Sequence, residues 1–265
     1  VKCNRQKTIQ TLYFMPQTLL NDQLWLKLKP ILLDLNIYDK PNLRNIFTGI
    51  LFRLKTGCQW RYLPECFGKP NTVFKAFRRW SKLDIFSKTF KMLIQDPDME
   101  WLSIDGTHIR AHQSSAGSPD SESQAIAKSA GGNSTKIHLV VDAHGNPLDF
   151  IISDGVTHDV KIAPDLIEKV DLKKTKLLNA DRGYISEKIS ESLSQQGVHP
   201  NIPNKRNSLS GNAHMDWHIY KARHVVENMF ATLKHFRGLA TRYDKLKNSY
   251  ISNVALACAY VWLKL

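Results

Sequence analysis

The chain has 265 residues and a formal charge of +13 with a pI near 9.6, long enough for two modest cores and basic enough to favour a polyanionic partner. The charge is uneven: residues 1–99 carry 17 Lys and Arg against 7 Asp and Glu, residues 100–198 carry 10 against 14, and residues 199–265 carry 10 against 3. A uniformly basic histone-like or ribosomal binder is thereby excluded, whereas basic flanks around an acidic middle suit a nucleic-acid enzyme that gathers carboxylates for metal; an uneven solvated surface is the plainer alternative.

Cys3, Cys58, Cys66 and Cys258 form no C-x-x-C pair and suggest no disulfide framework. No apolar run approaches the roughly 18 residues of a membrane span, and the N-terminus lacks signal-peptide features. A soluble, cytoplasmic protein without membrane association is expected. The first Met is Met15, and residues 1–18 read as a tail without periodicity.

From Asn21 to about Ile94 apolar residues recur at helical spacing, in Leu24, Leu28, Ile31, Leu32 and Leu35, then Ile46, Ile50, Leu51 and Leu54. Turn signals at Asp39-Lys-Pro41, Thr56-Gly57 and Phe67-Gly-Lys-Pro70 separate the helices. Residues 19–95 therefore form a small helical domain. Within it, Asn71-Thr72 is a candidate cap for a helix carrying Lys75, Arg78, Arg79 and Lys82 beside Val73, Phe74, Phe77 and Trp80. That face suits a DNA backbone or plain solvent equally well.

Gln95–Met99 reads as a linker, after which residues 96–265 turn to short β-type runs at Trp101–Ile104, Ile137–Val141, Leu148–Ile152 and Lys176–Leu178. Helices are expected over Val160–Val170 and Ser186–Gln195, an edge strand near His199–Ile202, and a long Ser-, Gly- and Ala-rich loop between Gln113 and Asn133. Strands alternating with helices mean an α/β domain.

Asp105, before Gly106, and Asp181, before Arg182-Gly-Tyr184, each follow an apolar strand, so both carboxylates are expected at strand ends where α/β sites form. Adjacent parallel strands would set them side by side, as a clamp on paired hard cations about 4 Å apart requires. A turn-capping role is the alternative for either Asp alone. A continuous helix is expected from Trp217 to Phe236. At about 100° per residue, Tyr220, Arg223, Glu227 and Lys234 share a strip roughly 60° wide beside an apolar face. An Arg223–Glu227 ion pair explains two of those four residues and leaves the others. His108 and His112 do not form a His-x-His site, and His214-x3-His218 lacks a third zinc ligand.

The order Tyr220-x2-Arg223-x3-Glu227-x6-Lys234 matches the Y-R-E-K signature of bacterial insertion-sequence transposases of the DDE class, in the superfamily with IS-four and IS-five branches. The surrounding words resemble the five branch: Gly57-Cys-Gln-Trp-Arg61 with Leu63-Pro64, Arg78-Arg-Trp80, Asp105-Gly-Thr with Arg110-Ala-His112, Ser134-Thr-Lys-Ile-His138, Asp181-Arg-Gly-Tyr184 and Arg242-Tyr-Asp-Lys245. The resemblance spans about Leu19 to Leu265. It implies an RNase H-like catalytic domain, a mixed β-sheet flanked by helices, behind the small helical N-terminal domain. It further implies that Asp105, Asp181 and Glu227 bind Mg²⁺ or Mn²⁺, two ions, and cleave and transfer DNA strands at terminal inverted repeats. Tyr220, Arg223 and Lys234 would then lie along transposon-end DNA, with Arg110, Arg78 and Arg79 as further contacts. Target DNA and a homodimer or higher oligomer complete the expected partners. Where relatives often carry arginines, this chain has Lys128-Ser-Ala-Gly-Gly132.

Overall fold

The computed structural model describes residues 19–116, 124–129, 131–205, 207–208 and 211–265. The expected tail at 1–18 and residues 117–123 and 130 of the expected loop lie outside the described residues, and Ala127–Ser129 of that loop form a short strand instead. The chain divides into two compact units, one built on residues up to Leu93 together with Phe236–Gly238 and Ser252–Leu265, the other on Ile94–His235 and Leu239–Ile251.

The first unit is helical. Helix α1 (Asp22–Asp34) starts where Asn21 accepts a hydrogen bond from the Leu24 amide at 2.9 Å, satisfying one of the free N–H groups of a first turn. Helix α2 (Leu43–Thr56) ends at Gly57, whose φ of 71° favours a residue without a Cβ. Helix α3 (Pro70–Lys82) begins on Lys69 with Pro70 at its first position. Asn71 and Thr72 therefore lie inside the first turn rather than capping it, because a proline's fixed φ and missing N–H suit the opening position better. Helix α4 (Ile85–Leu93) closes the set. Their buried faces meet in a cluster of Phe47, Phe77, Trp80 and Phe86, with ring centroids 5.6–6.4 Å apart, in the tilted arrangements that aromatic quadrupoles favour.

Among the described residues the second unit holds a mixed sheet of seven strands: β1 (Trp101–Ala111), β2 (Ala127–Ser129), β3 (Gly132–Val141), β4 (Pro147–Asp154), β5 (Leu177–Asn179), β6 (His199–Asn201) and β7 (Thr241–Arg242). The main order is β4-β3-β1-β5-β6, antiparallel among the first three and parallel from β1 to β5 to β6. That arrangement is RNase H-like. Helices α5 (Asp159–Ile167) and α6 (Glu187–Gln195) provide the connections between strands. The expected helix from Trp217 to Phe236 is divided: α7 (Trp217–Lys221) and α8 (His224–Lys234) are joined through Ala222 and Arg223. There the amides of Ala222, Arg223, Val225 and Val226 each bond three residues back, a tighter winding than the α-helix. A short α9 (Arg237–Ala240) and the long α10 (Lys247–Lys264) complete the chain. Among the described residues no helix is long and apolar enough to cross a membrane.

Asn201 ties the parallel edge to α7. Its amide donates to Asn179 Oδ1 at 2.8 Å and to the Asp216 carbonyl at 3.0 Å, while its Oδ1 accepts from the Asp216 amide at 2.9 Å. Asp216 in turn caps α7 by accepting from Ile219 at 2.9 Å, which anchors the helix that leads into Arg223 and Glu227.

Candidate active site

Strands β1 and β5 are parallel neighbours with Ser103 opposite Asn179. Asp105 and Asp181 each follow two residues beyond that rung. The two acids are close enough for Asp181 to raise the pKa of Asp105. Asp105 does not end its strand, contrary to the reading from sequence. β1 continues to Ala111 because β3 pairs with it through Arg110 opposite Ser134. It is β5 that stops short, leaving Asp105 beside an open sheet edge.

Each residue of Asp105-Gly-Thr107 meets a different part of the unit. Asp105 Oδ1 accepts from the Gly106 amide at 2.7 Å, and its Oδ2 accepts from Arg223 Nη1 at 3.2 Å. Thr107 Oγ1 accepts from Lys234 Nζ at 2.8 Å. Gly106 faces the other side of the sheet. A Cβ built there would lie 2.6 Å from Asp159 Oδ1, closer than real Cβ atoms come to such a neighbour, and a tight 3.0 Å from Lys136 Cε.

Arg223 sits between two acids, since its Nη2 also donates to Glu227 Oε1 at 2.6 Å. Its guanidinium lies 5.9 Å from the Tyr220 ring centroid, and Tyr220 meets Trp217 edge-to-face at 5.7 Å. The Arg223–Glu227 pair is thus real, but it is one arm of a bridge that reaches Asp105. Burial pushes the Asp105 carboxyl above the usual range, against the lowering effect of the Gly106 amide and Arg223; the charge of Asp181 adds to the rise. For Arg223, burial opposes the charged form, but Asp105 and Glu227 outweigh it and raise its pKa.

Asp181 does cap a turn: its Oδ1 accepts from Gly183 at 2.7 Å at the start of a 3-10 turn over Arg182–Tyr184. That contact leaves its second oxygen without a hydrogen bond among the described residues, so capping and ligation are compatible. Tyr184 is fully buried, and its hydroxyl has no hydrogen-bond partner among the described residues. Burial, then the charges of Asp159, Asp105 and Asp181, push its pKa far upward.

Arg110 is exposed further along β1. In the helical unit, Arg79 is exposed, whereas Arg78 lies 5.9 Å from the Phe74 ring centroid. His214 hydrogen-bonds the Ile202 carbonyl at 3.0 Å, a structural contact in place of zinc ligation. Sequence reasoning passed over Asp159, whose Oδ2 pairs with Lys136 at 2.7 Å and whose Oδ1 lies 3.2 Å from His138 Nδ1. The available signal was Lys136-Ile-His138, two polar side chains alternating across an otherwise apolar strand.

Three carboxylates are a hard, all-oxygen donor set of the kind Mg²⁺ and Mn²⁺ take. Burial is the first cause of the raised pKa of Asp105, and repulsion from Asp181 adds to it. Arg223 supplies positive charge there. Among the described residues, no three His, Cys, Asp or Glu side chains are gathered closely enough to hold a metal.

Comparison with known proteins follows the same lines. Residues 96–262 match the family model described as Transposase DDE domain, and residues 20–90 match one for provisionally assigned transposases of the IS4/5 family. A Brucella ovis protein, provisionally named as the transposase of insertion sequence element IS6501, is 33% identical over 137 residues, 49% of this chain and 98% of that protein. A Burkholderia cepacia protein, provisionally named as the IS402 transposase, is 31% identical over 136 residues, 48% of this chain and 62% of its own length. The cryo-EM structure of the piggyBac transposase synaptic complex with hairpin DNA aligns over 73% of this chain and 51% of that one, at 11% identity and a TM-score of 0.39. With its family model covering most of the sequence and RNase H-like strands placing Asp105 beside Asp181, this chain belongs to the DDE transposases, whose members catalyse DNA cleavage and strand transfer.

Proposed function

We propose that Asp105, Asp181 and Glu227 hold the divalent metal the family requires, Mg²⁺ or Mn²⁺ as two ions, and that Tyr220, Arg223 and Lys234 lie along transposon-end DNA. The observation that carries this reading is the bridge from Asp105 through Arg223 to Glu227, which ties an acid on β1 to one on α8. When bound, the metal activates the attacking oxygen and stabilises the leaving one in an in-line displacement. The chain's own residues prepare that step. The Gly106 amide orients Asp105, and the Gly183 amide orients Asp181. Arg223 holds Glu227 towards the sheet, and a DNA phosphate competes with those carboxylates for its planar fork of donors. Lys234, held at Thr107, is a second phosphate contact. No covalent protein–DNA bond is needed, so Tyr220 serves as a DNA contact.

Recognition of the terminal inverted repeats is assigned to residues 19–95 and the chemistry to residues 96–265. In the helical unit a groove of about 510 Å³ is lined by Tyr38, Lys40, Lys75, Arg79 and Trp80. Among the described residues no acidic side chain lines it, and the buried Trp80 indole N–H has no acceptor. Arg78 and Arg110 are further candidate DNA contacts. Target DNA is the second substrate. One set of acids per chain, against two ends to be cut, makes the working form a homodimer or higher oligomer in the cytoplasm. The direct test is Glu227→Ala, assayed with DNA fragments from the flanks of the gene. Cleavage should be lost while end binding stays nearly intact. Substantial Mg²⁺-dependent cleavage by the folded variant would sink the assignment.

A further inference from the structure

Asp105 is steadied on its own face of the sheet by the Gly106 amide, at 2.7 Å. What steadies Gly106 lies on the opposite face. Gly106 pairs with His138 and His108 with Lys136 across β1 and β3, and directly opposed residues point to one side. Asp105 pairs with Leu139 and points to the other. Against the Gly106 side stands Asp159, the first residue of α5. Its Oδ2 lies 2.7 Å from Lys136 Nζ, its Oδ1 lies 3.2 Å from His138 Nδ1, and His138 Nε2 lies 2.8 Å from Ser153 Oγ. Lys136 and His138 are buried, so this is a chain of polar groups held inside the unit.

We propose that Asp159, fixed by Lys136 and lying against His138, is a positioning residue for Asp105, acting through Gly106 from behind the sheet. The absent side chain of Gly106 admits the Asp159 carboxylate, and the Gly106 N–H on the same peptide unit as Asp105 grips the Asp105 carboxylate. Pressure from one face thus sets the donor on the other. The charge environment agrees: burial opposes ionisation of Asp159, yet His138 and Lys136 hold its carboxyl below the usual range. Asp159 Oδ2 is held by Lys136 at 2.7 Å, while Oδ1, without a hydrogen-bond partner among the described residues, is the oxygen that lies against Gly106. Partners that orient a metal ligand from outside its immediate shell commonly matter about 10–100-fold to metal affinity.

This inference rests on Asp105 being a metal ligand, and its test separates the two ideas. Selective ¹⁵N-glycine labelling of the full chain reads the Gly106 amide directly, and Asp105→Ala defines the resonance position when the acceptor is lost. Asp159→Ala should move the Gly106 resonance at least half of that displacement and weaken Mn²⁺ binding, by titration, about tenfold or more. Asp159→Asn keeps an oxygen towards Gly106 and should retain most of both signals. If Asp159→Ala does not fold, Lys136→Met removes the anchor of Asp159 and should move the resonance in the same direction. A Gly106 resonance unmoved in whichever of these variants folds overturns the proposal. Retention of full Mn²⁺ affinity by Asp105→Ala instead removes the metal assignment, and the glycine resonance still decides the role of Asp159.

Discussion

Removal of Arg223 tests how the candidate site is held. Arg223 donates to Glu227 at 2.6 Å and to Asp105 at 3.2 Å. The Glu227 side chain is 53% exposed, so that arm contributes about 0.3–0.5 kcal/mol, as exposed helical pairs do. The Asp105 side chain is 20% exposed, and a hydrogen bond between charged groups so placed contributes about 1.5–3 kcal/mol. Arg223→Ala should therefore cost about 2–3 kcal/mol and lower Tm by roughly 4–12 °C for a domain of this size. Metal binding should move the other way. A cation reaching Asp105 and Glu227 must displace the guanidinium, so without DNA the native chain binds against a competitor worth about 2 kcal/mol, or roughly thirtyfold in affinity. Calorimetric Mn²⁺ titration and thermal unfolding with and without Mn²⁺ check both signs. The variant should bind Mn²⁺ about thirtyfold more tightly and regain part of its lost Tm when the ion is added. Equal or weaker Mn²⁺ binding by a folded Arg223→Ala protein would refute the idea that Arg223 and metal compete for the same carboxylates.

Gly106→Ala should abolish Mg²⁺-dependent cleavage, because its methyl group meets Asp159 Oδ1 at 2.6 Å; adding Asp159→Ala should relieve the clash and restore measurable thermal stability. Arg242 is fully buried and donates to the Gln124, Ala125 and Asp244 carbonyls at 2.7, 3.1 and 3.0 Å, so Arg242→Leu should destabilise by about 3 kcal/mol or more in denaturant titration. Lys75→Ala with Arg79→Ala should reduce the slope of log affinity against log salt by about two units, one for each lost phosphate contact. For acid stability, burial opposes ionisation of Asp154, but the Val156 and Thr157 amides hold its carboxyl below its ordinary 3.8. The stability it contributes is present above that value and lost as pH falls below it; Asp154→Asn should flatten the acid limb of an unfolding curve there.

The helices before Leu93 and the places of β1, β3, β4, β5 and β6 were legible because burial imposes periods of 3.6 and 2 on the apolar residues, and these survive in any sequence with one core face. Local chemistry that competes with periodicity was less legible. The Trp217–Phe236 pattern is helical throughout, yet bonds three residues back tighten it at Ala222–Arg223, and no apolar spacing reports such a change. Asp105 was misplaced to a strand end because Gly106 looked like a turn residue, whereas the glycine is there for Asp159, a partner that arrives only after two further long strands, at the start of α5. The word Arg242-Tyr-Asp-Lys245 is largely architectural. Arg242 is sealed into carbonyl contacts, and Tyr243 stacks on His112 with centroids 4.5 Å apart. Resemblance located these residues, but only their partners separate a DNA contact from a structural one.

The spacing of the signature becomes a matter of reach once the sheet and helix are set together within this unit. Asp105 and Thr107 lie on one face of β1, two residues and therefore about 6.6 Å apart. Their partners Arg223 and Lys234 are eleven residues apart, roughly 16 Å along a helix. The difference is spanned by the two longest cationic side chains, converging on the strand from opposite ends of α8. Glu227, one turn from Arg223, is too short to converge in that way and stays half in solvent, with the guanidinium as its tie to the site among the described residues. Lysine in place of Arg223 has a single ammonium where two carboxylates need a planar fork. The Y-R-E-K order is thus a geometric solution in which two long cations grip the strand at Asp105 and Thr107 and leave the intervening carboxylate half exposed beside the arginine.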